Sequence, residues 1–172
     1  MNGTVDELTG ASTIIDLVHE RIHAGRTFQT SYKSPEGSEV ADDGTVEVLV
    51  KNTTIPVHFT FSATGGGNLE LSLFEAPTTT NDGSQLNVVG MNRQRSIAPT
   101  VTTFLSPTIT ADGDQLFNGF DSRGVGLTTP EGREGSEWVL RRNTDYLIRI
   151  TNRAGGARDI AVILQWYQAL GG

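Results

Sequence analysis

Cysteine is absent from the 172 residues, which excludes disulfides, thiolate zinc sites and cysteine nucleophiles and leaves His and carboxylates as the only metal ligands. Histidine is scarce too, at three. No apolar run approaches the ~20 residues needed to cross a bilayer. The opening MNGTVDELTGASTIIDLVHERIHAG has neither a basic leader nor an apolar stretch of signal-peptide length, so we expect neither general secretory export nor a membrane partner. Positive charge is also short, with 13 Lys and Arg against 20 Asp and Glu and a net charge of −7. Nine of the acids but only three of the bases fall in the first fifty residues, an acidic front that opposes binding to a phosphate backbone, so no nucleic-acid partner is expected. Beyond residue 100 lysine disappears and seven Arg face eight acids. Such a surface suits bidentate carboxylate pairing across a protein interface.

The chain does have glycine, twenty residues of it, along with Thr and Asn in short alternating runs. TVEVLVK sets Val46, Val48 and Val50 against Thr45, Glu47 and Leu49, and VHFTF sets Val57, Phe59 and Phe61 against His58 and Thr60. NLELSLFEA aligns Leu69, Leu71 and Leu73, and TVTTFLSPTIT aligns Val101, Thr103 and Leu105. Each pattern is that of a half-buried strand. Asn81-Asp82-Gly83 is a turn signal. YLIRITNRAGGARDIAVILQWY reads as a final hairpin around Gly155-Gly156, with Ile160, Val162, Leu164 and Trp166 on one face and Ala161, Ile163, Gln165 and Tyr167 on the other. Ile163 among the latter predicts a central strand.

About eight strands with Gly-rich connections predict an all-β fold, an antiparallel two-sheet sandwich of jelly-roll type. Residues 1–25 form an N-terminal arm or short helix and 26–172 the β-sandwich domain, since a chain of this length supports one core. In STIIDLVHERIHAG the apolar spacing predicts a helix capped by Ser12 and stopped by Gly25, with a strand through ERIHAGRTFQTSY as the competing reading. SPEGSEVADDG and FNGFDSRGVGLTTPEGREG read as loops. We find no internal repeat and no linker between two folded domains.

His19-Glu20-Arg21-Ile22-His23 spells H-E-x-x-H, in which two His one helical turn apart share a zinc ion and the Glu serves as general base. A hydrolase needs a third ligand. The position six residues after His23 is Gln29, His58 sits in a strand, and Arg21 places a cation inside the motif. The zinc-dependent hydrolase is therefore a remote alternative, and no catalytic residue, metal or cofactor is expected. Asp112, Asp114, Asn118 and Asp121 lack the spacing of a calcium loop. Gly65–Gly67 lack the Lys and Ser/Thr of a phosphate loop, no Ser lies in a G-x-S-x-G elbow, and Glu70 and Glu75 read as surface charge. Trp138 and Trp166 fall in phase with core residues, while Tyr167 is open to either packing or sugar stacking.

IHAGRTFQTSY, HFTFSA, LELSLFEAPTTTNDGSQLNVVGMNR and EWVLRRNTDYLIRITNRAGGARDIAVILQWYQ together resemble the capsid decoration, or head cement, proteins of tailed bacteriophages, over most of residues 19–168. The resemblance implies a non-enzymatic β-sandwich, assembled in the host cytoplasm, that binds the major capsid protein on the outside of the virion shell. It implies a trimer or dimer that helps the shell resist the pressure of packaged DNA. It carries no defined functional residue. Arg141, Arg142, Arg149, Arg153 and Arg158, with Tyr167, are the candidates for a capsid or subunit interface, because Arg is enriched at such surfaces. A receptor- or glycan-binding sandwich of a tail or fibre is the alternative, suggested by the aromatic C-terminus.

Overall fold

In the computed structural model, which describes residues 4–5, 12–13, 17–52, 54–95, 97–121 and 137–168, the alternating runs become antiparallel strands. The chain begins with β1 (Thr4–Val5), β2 (Ser12–Thr13), helix α1 (Leu17–His23), β3 (Thr27–Lys33), β4 (Thr45–Lys51), β5 (Val57–Gly65) and β6 (Leu69–Glu75). It continues through β7 (Thr78–Asn81), β8 (Ser84–Gln85), β9 (Val89–Gly90), β10 (Thr102–Leu105), β11 (Thr108–Ala111) and β12 (Asp114–Asp121). It closes with β13 (Trp138–Leu140), β14 (Asp145–Asn152) and β15 (Ile160–Gln168).

A six-stranded sheet runs β12-β6-β14-β4-β10-β8 and a five-stranded sheet runs β13-β5-β15-β3-β9, with β11-β7 a separate ribbon and β1-β2 a short pair. Val46, Val48, Val50, Leu69, Leu71, Leu73, Tyr146, Ile148 and Ile150 of the first sheet meet Phe28, Val57, Phe59, Leu140, Ile160, Val162, Leu164 and Trp166 of the second in one core. That is the sandwich the alternation predicts, with one side of each strand facing the other sheet. Take β3, β4, β5, β6, β12, β13, β14 and β15 as a frame of eight. The first, eighth, third and sixth then neighbour one another in one sheet, and the second, seventh, fourth and fifth in the other.

Three expectations need correction. The final run is no hairpin: β14 pairs with β4 and β6, whereas β15 pairs with β3 and β5 in the other sheet. Alternation shows that a strand is half-buried but not which strand it joins. Asn152 anchors the crossing, its buried amide nitrogen donating to the carbonyls of Val40, Ala41 and Gly156 at 2.8, 3.1 and 2.8 Å. The stretch FNGFD, read as the start of a loop, is the second half of β12, paired with β6. Its glycine serves packing, because a Cβ on Gly119 would stand 2.6 Å from the ring of Phe117. Ser12 does not stand at the start of the helix: it lies in β2, paired with Val5, and α1 begins at Leu17. α1 does stop just before Gly25, ending at His23, and the φ of 71° at Gly25 suits the residue that follows a helix. Strand and helix readings of this region are thus both partly correct, since β3 follows at Thr27. The remainder of the predicted loop, residues 122–136, lies outside the described residues.

The chain also contains a repeat that the sequence reading passes over. Pro77, Thr78, Thr80, Asp82, Gly83, Gln85 and Leu86 recur as Pro107, Thr108, Thr110, Asp112, Gly113, Gln115 and Leu116. In each copy a residue of positive φ precedes the proline, Ala76 at 56° and Ser106 at 55°. Its N–H donates to a central strand of the six-stranded sheet, Ala76 to the Asp145 carbonyl at 2.9 Å and Ser106 to the Glu47 carbonyl at 3.0 Å. The copies then pair with each other as β7 and β11. After Gly83 and Gly113 each rejoins the sheet on the other copy's preceding strand, β8 on β10 and β12 on β6. The six-stranded sheet therefore has a local quasi-two-fold axis between β14 and β4.

Candidate functional site

The two outer faces of the sandwich differ in what they leave open. On the six-stranded sheet, Leu49 and Leu147 lie opposite each other in register. Their side chains point away from the core yet are 0% exposed. The β7–β11 ribbon straddles them, pinned at both ends by charge. Arg149 donates from Nε to Glu47 at 2.6 Å and from its two terminal nitrogens to Asp112 at 2.7 Å each, with its guanidinium 5.2 Å above the Phe74 ring. At the quasi-equivalent end, Lys51 Nζ reaches Asp82 at 2.8 Å and Asp145 at 3.7 Å. The Arg149 hydrogen bond holds the Asp112 carboxyl below its ordinary value, and the Lys51 bond does the same for Asp82. Burial pushes Asp145 the other way, up. This face is closed by the chain's own residues.

Among the described residues, no ribbon or helix covers the outer face of the five-stranded sheet. Ala161, Ile163 and Gln165 of β15 lie in register with Lys33, Ser31 and Gln29 of β3 and with Thr64, Ser62 and Thr60 of β5. Val139 extends the face on β13 and Val89 on β9. Its centre holds Ser, Thr, Gln and Ile and no charge. Val139 is 60% and Ile163 40% exposed, and Gln165 donates to Gln29 at 2.9 Å, fixing two amides in the plane of the face. β15 is central, as predicted, but Ile163 is not buried there, so the reason given for that prediction does not hold. A sheet face low in charge has the composition of an interface core rather than of solvated surface.

At one end of this face His58 stacks on Tyr167, ring centroids 4.5 Å apart and planes 11° from parallel, and its Nδ1 hydrogen-bonds Glu137. These residues, with Thr27, Thr60, Gln165 and Trp166, line a cavity of about 20 Å³. That volume suits a single water and no larger ligand. The ring of Tyr167 is buried in this stack and Trp166 in the core, while Trp138 packs against the core. The aromatics that suggest sugar stacking are thus turned away from solvent.

The five interface arginines do not form one patch. Arg141 and Arg142 precede β14 and Arg153 and Arg158 follow it, so they flank its opposite ends. Arg149 belongs to the closed face. Arg141 pairs with Glu75 at 3.1 Å, Arg153 with Glu70 and Asp43, and Arg158 donates to the Gly66 carbonyl at 2.6 Å. Arg142 is exposed and shows no ion pair with a described residue. Glu75 is no simple surface charge: it is buried and accepts a hydrogen bond from Tyr146 at 2.8 Å. That contact and burial push the phenol up to about 12, burial having the larger effect.

Of the acidic run, Asp112 is held by Arg149, and Asn118 donates to Glu70 at 3.1 Å. His19 and His23 stand together on α1, both exposed, with Nε2 atoms 3.0 Å apart. Among the described residues no group of three or more His, Asp or Glu is placed to hold a metal ion, and no helix is long and apolar enough to cross a membrane. Sequence reasoning missed the uncharged face of the five-stranded sheet. The signal for it was present as the polar, uncharged members of alternating runs, Gln29, Ser31, Thr60, Ser62 and Gln165. A scan against family models finds no match, and a search of curated proteins finds no similar chain.

Proposed function

We propose that this chain is a non-enzymatic virion structural protein, a jelly roll that binds the outer surface of a tailed-phage capsid through the five-stranded sheet and stabilises the shell. The observation that carries this reading is the contrast between the two faces. One sheet is covered by a ribbon of the same chain and sealed with ion pairs, and the other presents a broad uncharged plane that includes Val139 and Ile163. The strand order supports the jelly-roll description, and the resemblance of LFEAPTTTNDGSQLNVVGMNR and of the C-terminal strands supports the capsid partner. Self-association as a trimer or dimer belongs to the same reading. Arg142 is the arginine best placed to meet an acidic partner. The glycan-binding alternative is disfavoured by the burial of Trp166 in the core, the packing of Trp138 against it, and the stacking of Tyr167 under His58.

The test is to mix the purified chain with capsids of the parent phage assembled without it. Co-sedimentation, added density on the outer surface in cryo-electron microscopy, and greater resistance of the decorated shells to heat or osmotic shock are expected. Absence of binding to these capsids would overturn the proposal.

A further inference from the structure

H-E-x-x-H lacks a third ligand for a hydrolytic zinc site, but the arrangement of its two imidazoles has its own chemistry. The Nε2 atoms of His19 and His23 are 3.0 Å apart. Their ring centroids are 4.6 Å apart, with planes at 68°. A straight N–H···N hydrogen bond of that length would hold the centroids about 5.3 Å apart. The shorter centroid separation shows that the rings are bent away from a straight hydrogen bond. A metal bonded to both nitrogens at about 2.1 Å, with a right angle between the bonds, would separate the nitrogens by about 3.0 Å and the centroids by about 4.6 Å. Both distances in the chain match that arrangement.

The helix carrying the pair is fixed at its end. Ala24 N–H donates to the Glu20 carbonyl and Arg26 N–H to the Arg21 carbonyl, each at 2.9 Å. Asn92 Nδ2 donates to the His23 carbonyl at 3.1 Å. The backbone of the helix end is thus tied to the segment entering β3 on one side and to the loop after β9 on the other.

We propose that His19 and His23 form a surface clip for a divalent transition metal, copper(II) being bound most tightly. Two imidazoles select copper, nickel and zinc over magnesium or calcium, and at a given nitrogen site affinity rises from nickel to copper and falls again at zinc. A right angle between ligands suits the tetragonal geometry of copper(II) and nickel(II) better than the tetrahedron of zinc. The remaining positions on the metal face solvent and are open to water or to a donor from another molecule. Binding takes both Nε2 lone pairs, so the ring that donates through Nε2 changes tautomer, giving that proton to solvent and taking one up on Nδ1, and each neutral ring then carries its single proton on Nδ1. This inference is independent of capsid binding.

The experiment titrates the untagged full chain with copper(II) by calorimetry and by electron paramagnetic resonance. One copper per chain is expected, with a spectrum showing two nitrogen ligands. His19→Gln and His23→Gln should each lower the affinity by roughly tenfold or more and leave a single-nitrogen signal, whereas His58→Gln should change neither, because His58 is engaged by Glu137 and Tyr167. In the unmodified chain, substoichiometric copper should broaden the NMR signals of residues 19–23 before any others, a result that does not depend on how the variants fold. Copper binding that survives both substitutions, or broadening centred elsewhere, overturns the assignment.

Discussion

Arg149 satisfies three acceptor contacts with one guanidinium, two on Asp112 and one on Glu47, while lying against the Phe74 ring. Its neutral replacement leaves two carboxylates facing each other beside an apolar row. Arg149→Met is therefore expected to cost about 1–3 kcal/mol in urea unfolding at pH 7, between the ranges of exposed and buried pairs. The pH dependence has a definite sign. Asp112, Asp82 and Glu70 have lowered values in the folded chain, each chiefly through a hydrogen bond to its cation. Their stabilisation is fully present above the ordinary carboxylate values and is lost as pH falls through the depressed ones. The unmodified chain should lose stability from roughly pH 5 to pH 2 more steeply than Arg149→Met does. Equal slopes would show that the Asp112 pair contributes nothing.

At the scale of elements, the ribbon depends on two glycines. Gly83 and Gly113 have φ of 93° and 84°, and a Cβ would stand 2.2 Å from the Leu105 carbonyl oxygen in one and 2.1 Å from the Glu75 carbonyl oxygen in the other. Neither backbone oxygen can move without breaking a strand pairing. Gly83→Ala and Gly113→Ala should each destabilise by more than about 2 kcal/mol, read as a lowered Tm. Because the two turns are quasi-equivalent, the losses should be similar; a harmless Gly113→Ala would mean that this turn is not held as described. Individual strands were legible in the sequence because period-two alternation reports burial directly: Val46, Val48 and Val50, or Leu69, Leu71 and Leu73, could face only a core. Pairing was not legible, since β4 meets β14 from about a hundred residues away and no local pattern encodes a partner. The repeat was written in the letters around Pro77 and Pro107 but was obscured by the unlike segments that succeed the two copies. One continues into the Asn/Gly-rich β12, which composition alone assigns to a loop, and the other into the stub β8. The candidate face was harder still, because Gln29 and Gln165 become one surface only once β3 and β15 are neighbours.

For the whole molecule, the proposed capsid binding depends on which side of the sandwich meets the shell. Ile163→Glu and Val139→Glu place charge on the outer face of the five-stranded sheet without touching the core, so each should leave Tm within about 1 kcal/mol equivalent of the parent. Each should weaken capsid binding by tenfold or more, since desolvating a carboxylate in an interface core without a partner is costly. Co-sedimentation at several protein concentrations measures this. Arg149→Met, on the closed face, serves as the control that should bind normally when folded. Unchanged binding by both Glu variants would move the contact to another surface.

The order of the strands also governs when the molecule can exist. β3, the first strand of the frame, lies between the short β9 and β15, and β4 lies between β10 and β14. During synthesis the early strands leave the ribosome long before their principal partners. Loop-closure entropy must be met before those distant pairings can offset it, which places folding in the slow, millisecond-to-second range of β-sandwiches. The five-stranded sheet therefore cannot be completed until β15 emerges between β5 and β3, and its outer face forms in the same event that completes the core.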